Sequence, residues 1–414
     1  MNKKLNATLL LSVLLIPLLP TYSSFGFEQV KIIFLVLILS LGAIFWIYGY
    51  FKEPGKYQIK WTNINRVALG FVLVLILTSF LGIDFTKSFL GEYPYFQGLI
   101  LYLYLYLFYL LVVFSKIPIY KWGIVLNISS IAVSLVAIRQ WIQLEILNQE
   151  IVTYAGRIIS TFGQPNFYAG FLLLTLPFSY LIFQNSNKKI SYFGLVSGMI
   201  SIIGIFVSYS RSAILLALIL LVLALINELK VKFKVIAIFM VIIFLIITST
   251  TLASLKFSSG IAWRELAEPL NNQWLIDNSP EKRVFIWPVI AKLIMQKPLE
   301  GYGLENMAVA FSSFFAGINF NITSIPVYHT LKDLQINRSH SYALDLLFFS
   351  GILGLLLWVL LVILTIRKTK SQTLLACMLI YLVWIQFQNQ SVVHLLYFWL
   401  IVGLTDQTRV TIDK

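Results

Sequence analysis

Charge is what this chain has least of. Asp, Glu, Lys and Arg make up 12% of its 414 residues, where a soluble domain carries about a quarter. Hydrophobic residues make up 59%, and the mean hydropathy is +0.86. So few charges cannot clothe a water-facing surface, which excludes a soluble globular protein. Backbone polar groups in lipid must be satisfied within their own segment, so the apolar runs are helices; they are far too long for barrel strands. Cysteine is nearly absent. Cys377 stands alone inside an apolar run, which excludes an internal disulfide and a metal–thiolate site. Acids are scarce too, 17 against 31 basic residues, and in the polar stretches Asp277, Asp333 and Asp345 are scattered. No dedicated divalent-metal site is expected, and no cofactor. A Walker A sequence is missing, as are the mid-span charges of an ion-coupled transporter.

What is present is a series of twelve runs near residues 5–22, 30–51, 66–83, 96–115, 119–141, 165–184, 190–208, 211–227, 233–253, 341–366, 373–389 and 391–406. Each has the roughly 17–25 residues that a bilayer core requires. The first, Lys3-Lys4 followed by Leu5 to Pro20, is built like a signal peptide, but no small-x-small site follows, and it reads as a first helix. The turns at Ser208–Arg211 and Asn389–Ser391 read as tight hairpins. Short loops alternate in charge. Lys52, Lys56, Lys60, Arg66, Lys116, Lys121, Lys188, Lys189, Lys230, Lys232, Lys234, Arg367, Lys368 and Lys370, with Lys3, Lys4, Arg409 and Lys414, fall on one side. Glu28, Asp84, Glu92, Glu145 and Glu150 fall on the other. The positive-inside rule puts both termini in the cytoplasm, so the basic surplus is topology and no nucleic-acid partner is implied.

The expected fold is all-α: one membrane domain over 1–414, with one large extracytoplasmic loop, 254–340, between helices 9 and 10. Inside that loop Glu281–Gln296 has amphipathic helical spacing, with Val284, Trp287, Ile290 and Met295 on one side. Pro288 either strains this helix or marks its start. Gly301-Tyr302-Gly303 makes a turn. Helical spacing resumes from Glu305 to Phe315 with Met307, Phe311, Phe314 and Phe315. Such helices are expected to lie along the outer interface, over the bundle.

Five segments on the outer side hold candidates for chemistry. Arg211, in Ser208-Tyr209-Ser210-Arg211-Ser212, opens a span. It either snorkels to the interface or binds an anion with help from the hydroxyls and the helix N-terminus. Arg283, in Glu281-Lys282-Arg283, is either a solvated charge paired with Glu281 or an anion contact. His340, one of three histidines, directly precedes the tenth span beside Arg338. It is either a structural element-end histidine or a group that takes a proton at neutral pH. Asp345 either orients that imidazole or steadies the first helical turn. Asn166, in Gly163-Gln164-Pro165-Asn166, is good helix-start chemistry; Arg157 and Arg139 are further phosphate or sugar candidates.

Taken together, Ser160-Thr161-Phe162-Gly163-Gln164-Pro165-Asn166-Phe167, Ser208-Tyr209-Ser210-Arg211, Arg283 to Trp287, Pro298-Leu299-Glu300-Gly301-Tyr302-Gly303, and Arg338-Ser339-His340 leading to Asp345–Gly354 resemble the O-antigen ligase and polymerase superfamily. The resemblance is clearest over 160–358. It implies a GT-C-like bundle of about 12 helices. It implies a metal-independent glycosyltransferase that uses an undecaprenyl-diphosphate-linked glycan at the outer face of the bacterial cytoplasmic membrane. The family's two arginines correspond to Arg211 and Arg283, and its histidine to His340. Arg157, Arg338, Asn166, Arg139 and Asp345 are implied contacts of the diphosphate or sugar. Ser341 stands where the family usually has Asn, and Ser212 where it has Gly or Ala. The acceptor is a lipid, glycan or protein hydroxyl; ligation, repeat-unit polymerisation and protein O-glycosylation all share this donor chemistry. A lipid-linked glycan flippase is the rival of another class.

Overall fold

The computed structural model describes residues 3–21, 26–54, 61–228, 282–316, 336–386 and 388–407. The protein is an all-α polytopic membrane protein. In chain order its helices are α1 (Lys3–Leu15), α2 (Gln29–Lys52), α3 (Asn63–Leu81), α4 (Phe85–Leu90), α5 (Leu99–Ser115), α6 (Ile119–Trp141), α7 (Pro165–Phe183) and α8 (Lys188–Phe206). After these come α9 (Arg211–Glu228), α10 (Lys282–Gln296), α11 (Met307–Ala316), α12 (Tyr342–Lys368), α13 (Gln372–Trp384) and α14 (Val392–Gln407). Six are long and apolar enough to cross a membrane, and several shorter apolar helices accompany them. Every expected span except the ninth coincides with one of these helices. The ninth, 233–253, lies outside the described residues, as does the first part of the loop after it.

Helices α7 and α14 are buried along most of their length and form the centre of the bundle. Two polar ends lie beyond the apolar middle. At one end the Asp406 carboxylate accepts from Thr62 Oγ1 and Tyr109 OH, both at 2.7 Å, and pairs with Lys368. This clasps α14 to α5, to the start of α3 and to the end of α12. At the other end Phe27 N donates to Pro94 O, Gln97 Nε2 to Gln390 O, and Tyr342 N to Ile385 O. Lys31, fully buried, donates to Thr161 O at 3.0 Å and to Leu19 O, and lies over the Phe162 ring. Glu28, one residue before α2, accepts from Ser391 Oγ and Val392 N. The start of α2 therefore ties the 160s segment to the α13–α14 connection.

Helix α12 is broken. Gly351 sits at φ 64 and ψ −171, a region open essentially to glycine alone. The break frees carbonyls at membrane depth, which is tolerated only where protein re-satisfies them. The Pro298–Gly303 segment does this. Tyr302 N and Gly303 N donate to Phe348 O and Phe349 O at 2.9 Å, and Ile352 N donates to Pro298 O at 2.9 Å. The Tyr302 ring stacks on Phe348 with centroids 4.6 Å apart. Tyr302 O in turn accepts from Ile83 N and Asn306 Nδ2. Part of the polar insert is thus keyed into the bundle rather than draped over it.

Two sequence expectations are corrected. The buried face of α10 is Ile286, Val289, Ile290 and Leu293, whereas Trp287 is 41% and Met295 72% exposed. This helix is apolar almost all round, so spacing alone could not choose the face; contact with α12 does. Pro288 lies inside the helix rather than at its start. The thirteenth helix stops at Trp384, short of the expected 389. The tight hairpin becomes a longer connection because Gln386, Gln388, Asn389 and Gln390 leave the helix to use their amides. In α11, Met307 and Phe311 are buried as the spacing predicts.

Candidate functional site

The segment entering α12 is held by a dense set of contacts. Arg338 is buried and forms an ion pair with Glu305. Its guanidinium lies 4.8 Å from the Tyr95 ring centroid and 5.2 Å from that of Phe349, and Nη2 is 3.4 Å from Gln97 Oε1. Burial alone would favour losing the proton; the Glu305 and Asp345 carboxylates more than offset this and hold the guanidinium charged. Ser339 N donates to Asp345 Oδ1 at 2.8 Å. Ser339 Oγ donates to Ser341 O and accepts from Ser341 N, and Ser341 Oγ donates to Gln386 Oε1. The Trp287 indole N–H donates to Ser339 O at 2.9 Å. His340 stands in the middle, half-buried, with φ 62. A left-handed backbone at a residue other than glycine is uncommon and marks a place that the surroundings over-determine.

The Trp287–Ser339 bond joins this segment to α10. Arg283 lies one helical turn before Trp287 in the same helix; its side chain lies outside the described residues. The helix that carries Arg283 is therefore tethered to the residue just before His340.

A second group forms where α8 turns into α9. Ser208 and Tyr209 make a tight turn, with Tyr209 at φ 54, Ser210 N donating to Ser208 Oγ, and Ile214 N donating to Ser210 O. Arg211 is exposed at the first residue of α9. Arg157 Nη1 donates to Tyr209 O at 3.4 Å, and Trp141 Nε1 donates to the Tyr209 hydroxyl at 3.0 Å. The expected hairpin is there, and it brings Arg157 beside Arg211. The two groups share one end of the bundle. Aromatic contacts bridge them: Arg338 on Tyr95, Tyr95 on Phe27, and Phe27 on Tyr154, whose backbone pairs with Arg157.

The remaining candidates have other places. Arg338 pairs with Glu305 inside the protein, and Asp345 accepts from the backbone beside His340. Asn166 Nδ2 donates to Gln388 Oε1 at 2.9 Å and holds the α7 start to the α13–α14 connection. Arg139 is exposed on α6, while its neighbour Gln140 accepts from Ser160 N. Sequence reasoning missed Glu305, Gln97, Tyr95 and Gln386. Each is remote in the chain from the residue it serves, and nothing local announces it.

Removing the Glu305 carboxylate leaves Arg338 buried without its partner, a change that costs about 3–5 kcal/mol. Glu305→Ala is expected to lower the unfolding temperature strongly, and the double variant Glu305→Ala/Arg338→Met to regain most of the loss. Equal damage in the single and double variants would show that the pair is not what holds the segment.

Residues 196–359 match the family model described as O-Antigen ligase. The General O-oligosaccharyltransferase of Acinetobacter baylyi is 25% identical over 285 residues, which is 65% of this chain and 47% of that protein. The chain thus spans about half the length of the curated relative it matches. Arg211, Arg283, Arg338, His340 and Asp345 lie inside the family match; Arg139, Arg157 and Asn166 precede it. Over residues 196–359, less than half of its length, this chain is similar to the O-antigen ligase family.

Proposed function

We propose that this chain transfers an oligo- or polysaccharide from undecaprenyl diphosphate to a hydroxyl acceptor, at the outer face of a bacterial cytoplasmic membrane. The lipid tail lies between helices and the diphosphate near the membrane surface. The acceptor oxygen attacks the anomeric carbon as the bond from that carbon to the diphosphate oxygen breaks, and the configuration inverts. His340 takes the acceptor's proton. Arg211 and Arg283, with Arg157, neutralise the charge that builds on the departing undecaprenyl diphosphate. Such charge-assisted contacts in a water-poor site contribute several kcal/mol to the transition state.

The observation that carries this reading is the Trp287–Ser339 tether, which couples the Arg283 helix to the strained His340 backbone. The relative's name, an oligosaccharyltransferase, supports an oligosaccharide as the group moved. The family match supports ligation to a lipid or polymer acceptor over polymerisation.

The test uses the full chain in lipid nanodiscs with a lipid-linked glycan, with and without lipid, glycan and peptide acceptors. The expected result is donor consumption only with an acceptor and a product that carries one transferred glycan. A ladder of longer lipid-linked chains without added acceptor would reassign the chain as a polymerase. Movement of the donor between leaflets without consumption would make it a flippase.

A further inference from the structure

Trp287 is a large side chain, bonded to the residue before His340, that the fold leaves partly open. The face of α10 that packs inward is Ile286, Val289, Ile290 and Leu293. Trp287 stands off that face with 41% of its surface open. Its N–H points into the protein, to the carbonyl of the peptide that joins Ser339 to His340, at 2.9 Å. A tryptophan that only anchors a protein in the membrane interface keeps its polar edge toward interfacial water. Here the polar edge is spent internally. What remains open is apolar ring.

The position of that ring is defined on both sides. Arg283 is one helical turn away along α10, and His340 is one peptide away from the indole's acceptor. In an in-line displacement the leaving group and the attacking oxygen lie on opposite sides of the anomeric carbon. A sugar whose diphosphate meets Arg283 and whose incoming acceptor meets His340 must lie over what stands between them.

We propose that Trp287 is the stacking platform for the sugar ring being transferred. A pyranose has one face of axial C–H bonds, slightly positive, which fits the negative face of an indole. A flat platform also accepts sugars that differ in hydroxyl orientation, so it positions the ring without dictating its identity. This assignment rests on the glycosyl-transfer reading above.

The test is equilibrium binding to the full chain in nanodiscs, with two probes: a lipid-linked glycan and bare undecaprenyl diphosphate. Wild type binds the glycan-bearing lipid more tightly. Trp287→Leu is expected to weaken the glycan-bearing lipid about tenfold, the size of one good aromatic contact, and to leave the bare lipid unchanged. Trp287→Phe, which keeps a ring but loses the N–H tether, stays nearer to wild type than to Trp287→Leu. Equal loss in the Phe and Leu variants would overturn the platform and assign Trp287 to holding the loop. Parallel weakening of both lipids, or no change in Trp287→Leu, would overturn it too. Wild type that binds neither lipid would sink the transfer reading first, and the platform with it.

Discussion

Replacing His340 with Asn is expected to abolish glycan transfer and to leave the fold in place. The choice of Asn follows from the backbone. At φ 62 an alanine would carry the left-handed penalty of roughly 1–2 kcal/mol, which confuses strain with chemistry. Asn enters that region more readily than most residues, so the His340→Asn variant keeps the ties of Ser339 and Ser341 and removes only the proton-accepting imidazole. Proton transfer by a positioned side chain contributes about 10²–10⁴-fold in rate, and a loss in that range is expected. Arg283→Ala is its companion: with one of the proposed leaving-group contacts gone, the rate is expected to fall by a factor of about 10²–10³ relative to wild type. Transfer rates measured beside thermal unfolding separate the two causes. A His340→Asn protein that transfers within a few-fold of wild type would remove the imidazole from the reaction.

The second large effect is at Gly351. A Cβ there would lie 2.0 Å from Leu299 O and 2.5 Å from Leu299 C, and the backbone sits in a region that side-chain-bearing residues avoid. Gly351→Ala cannot keep both the break and the docked segment. Alanine favours continuous helix. The variant is expected to close the break, reclaim its carbonyls for intrahelical bonds and expel Pro298–Gly303. The backbone strain and the three lost hydrogen bonds between the segment and the broken helix together are worth about 3 kcal/mol or more. Hydrogen exchange should show Tyr302 and Gly303 amides losing protection, with a lower unfolding temperature for the whole protein. Wild-type protection at those amides in Gly351→Ala would mean that the glycine is not what admits the segment.

The bundle was legible because lipid enforces a simple rule: long apolar runs, alternating loop charge, helices in between. The site was legible only in part. Arg211 and His340 stand out as polar groups at helix starts, and the structure puts them at one end of the bundle with the helix of Arg283. The Arg338–Glu305 pair was not legible: Glu305 is 33 residues earlier in the chain, beyond the reach of any local pattern. The glycines of Pro298–Gly303 and Phe349–Gly354 were visible as two motifs. Their pairing was not, because a broken helix in a run this apolar has no period to betray it. The face of α10 failed for the opposite reason: apolar residues on nearly every side gave the periodicity nothing to choose between.

The docked Pro298–Gly303 segment also bears on how the insert sits. A segment bonded at once to the two halves of a split helix, to Ile83 and to Asn306 is tied to the bundle at several points. It is a fixed point of the insert, and α10, which ends just before it, is anchored there at its C-terminal end.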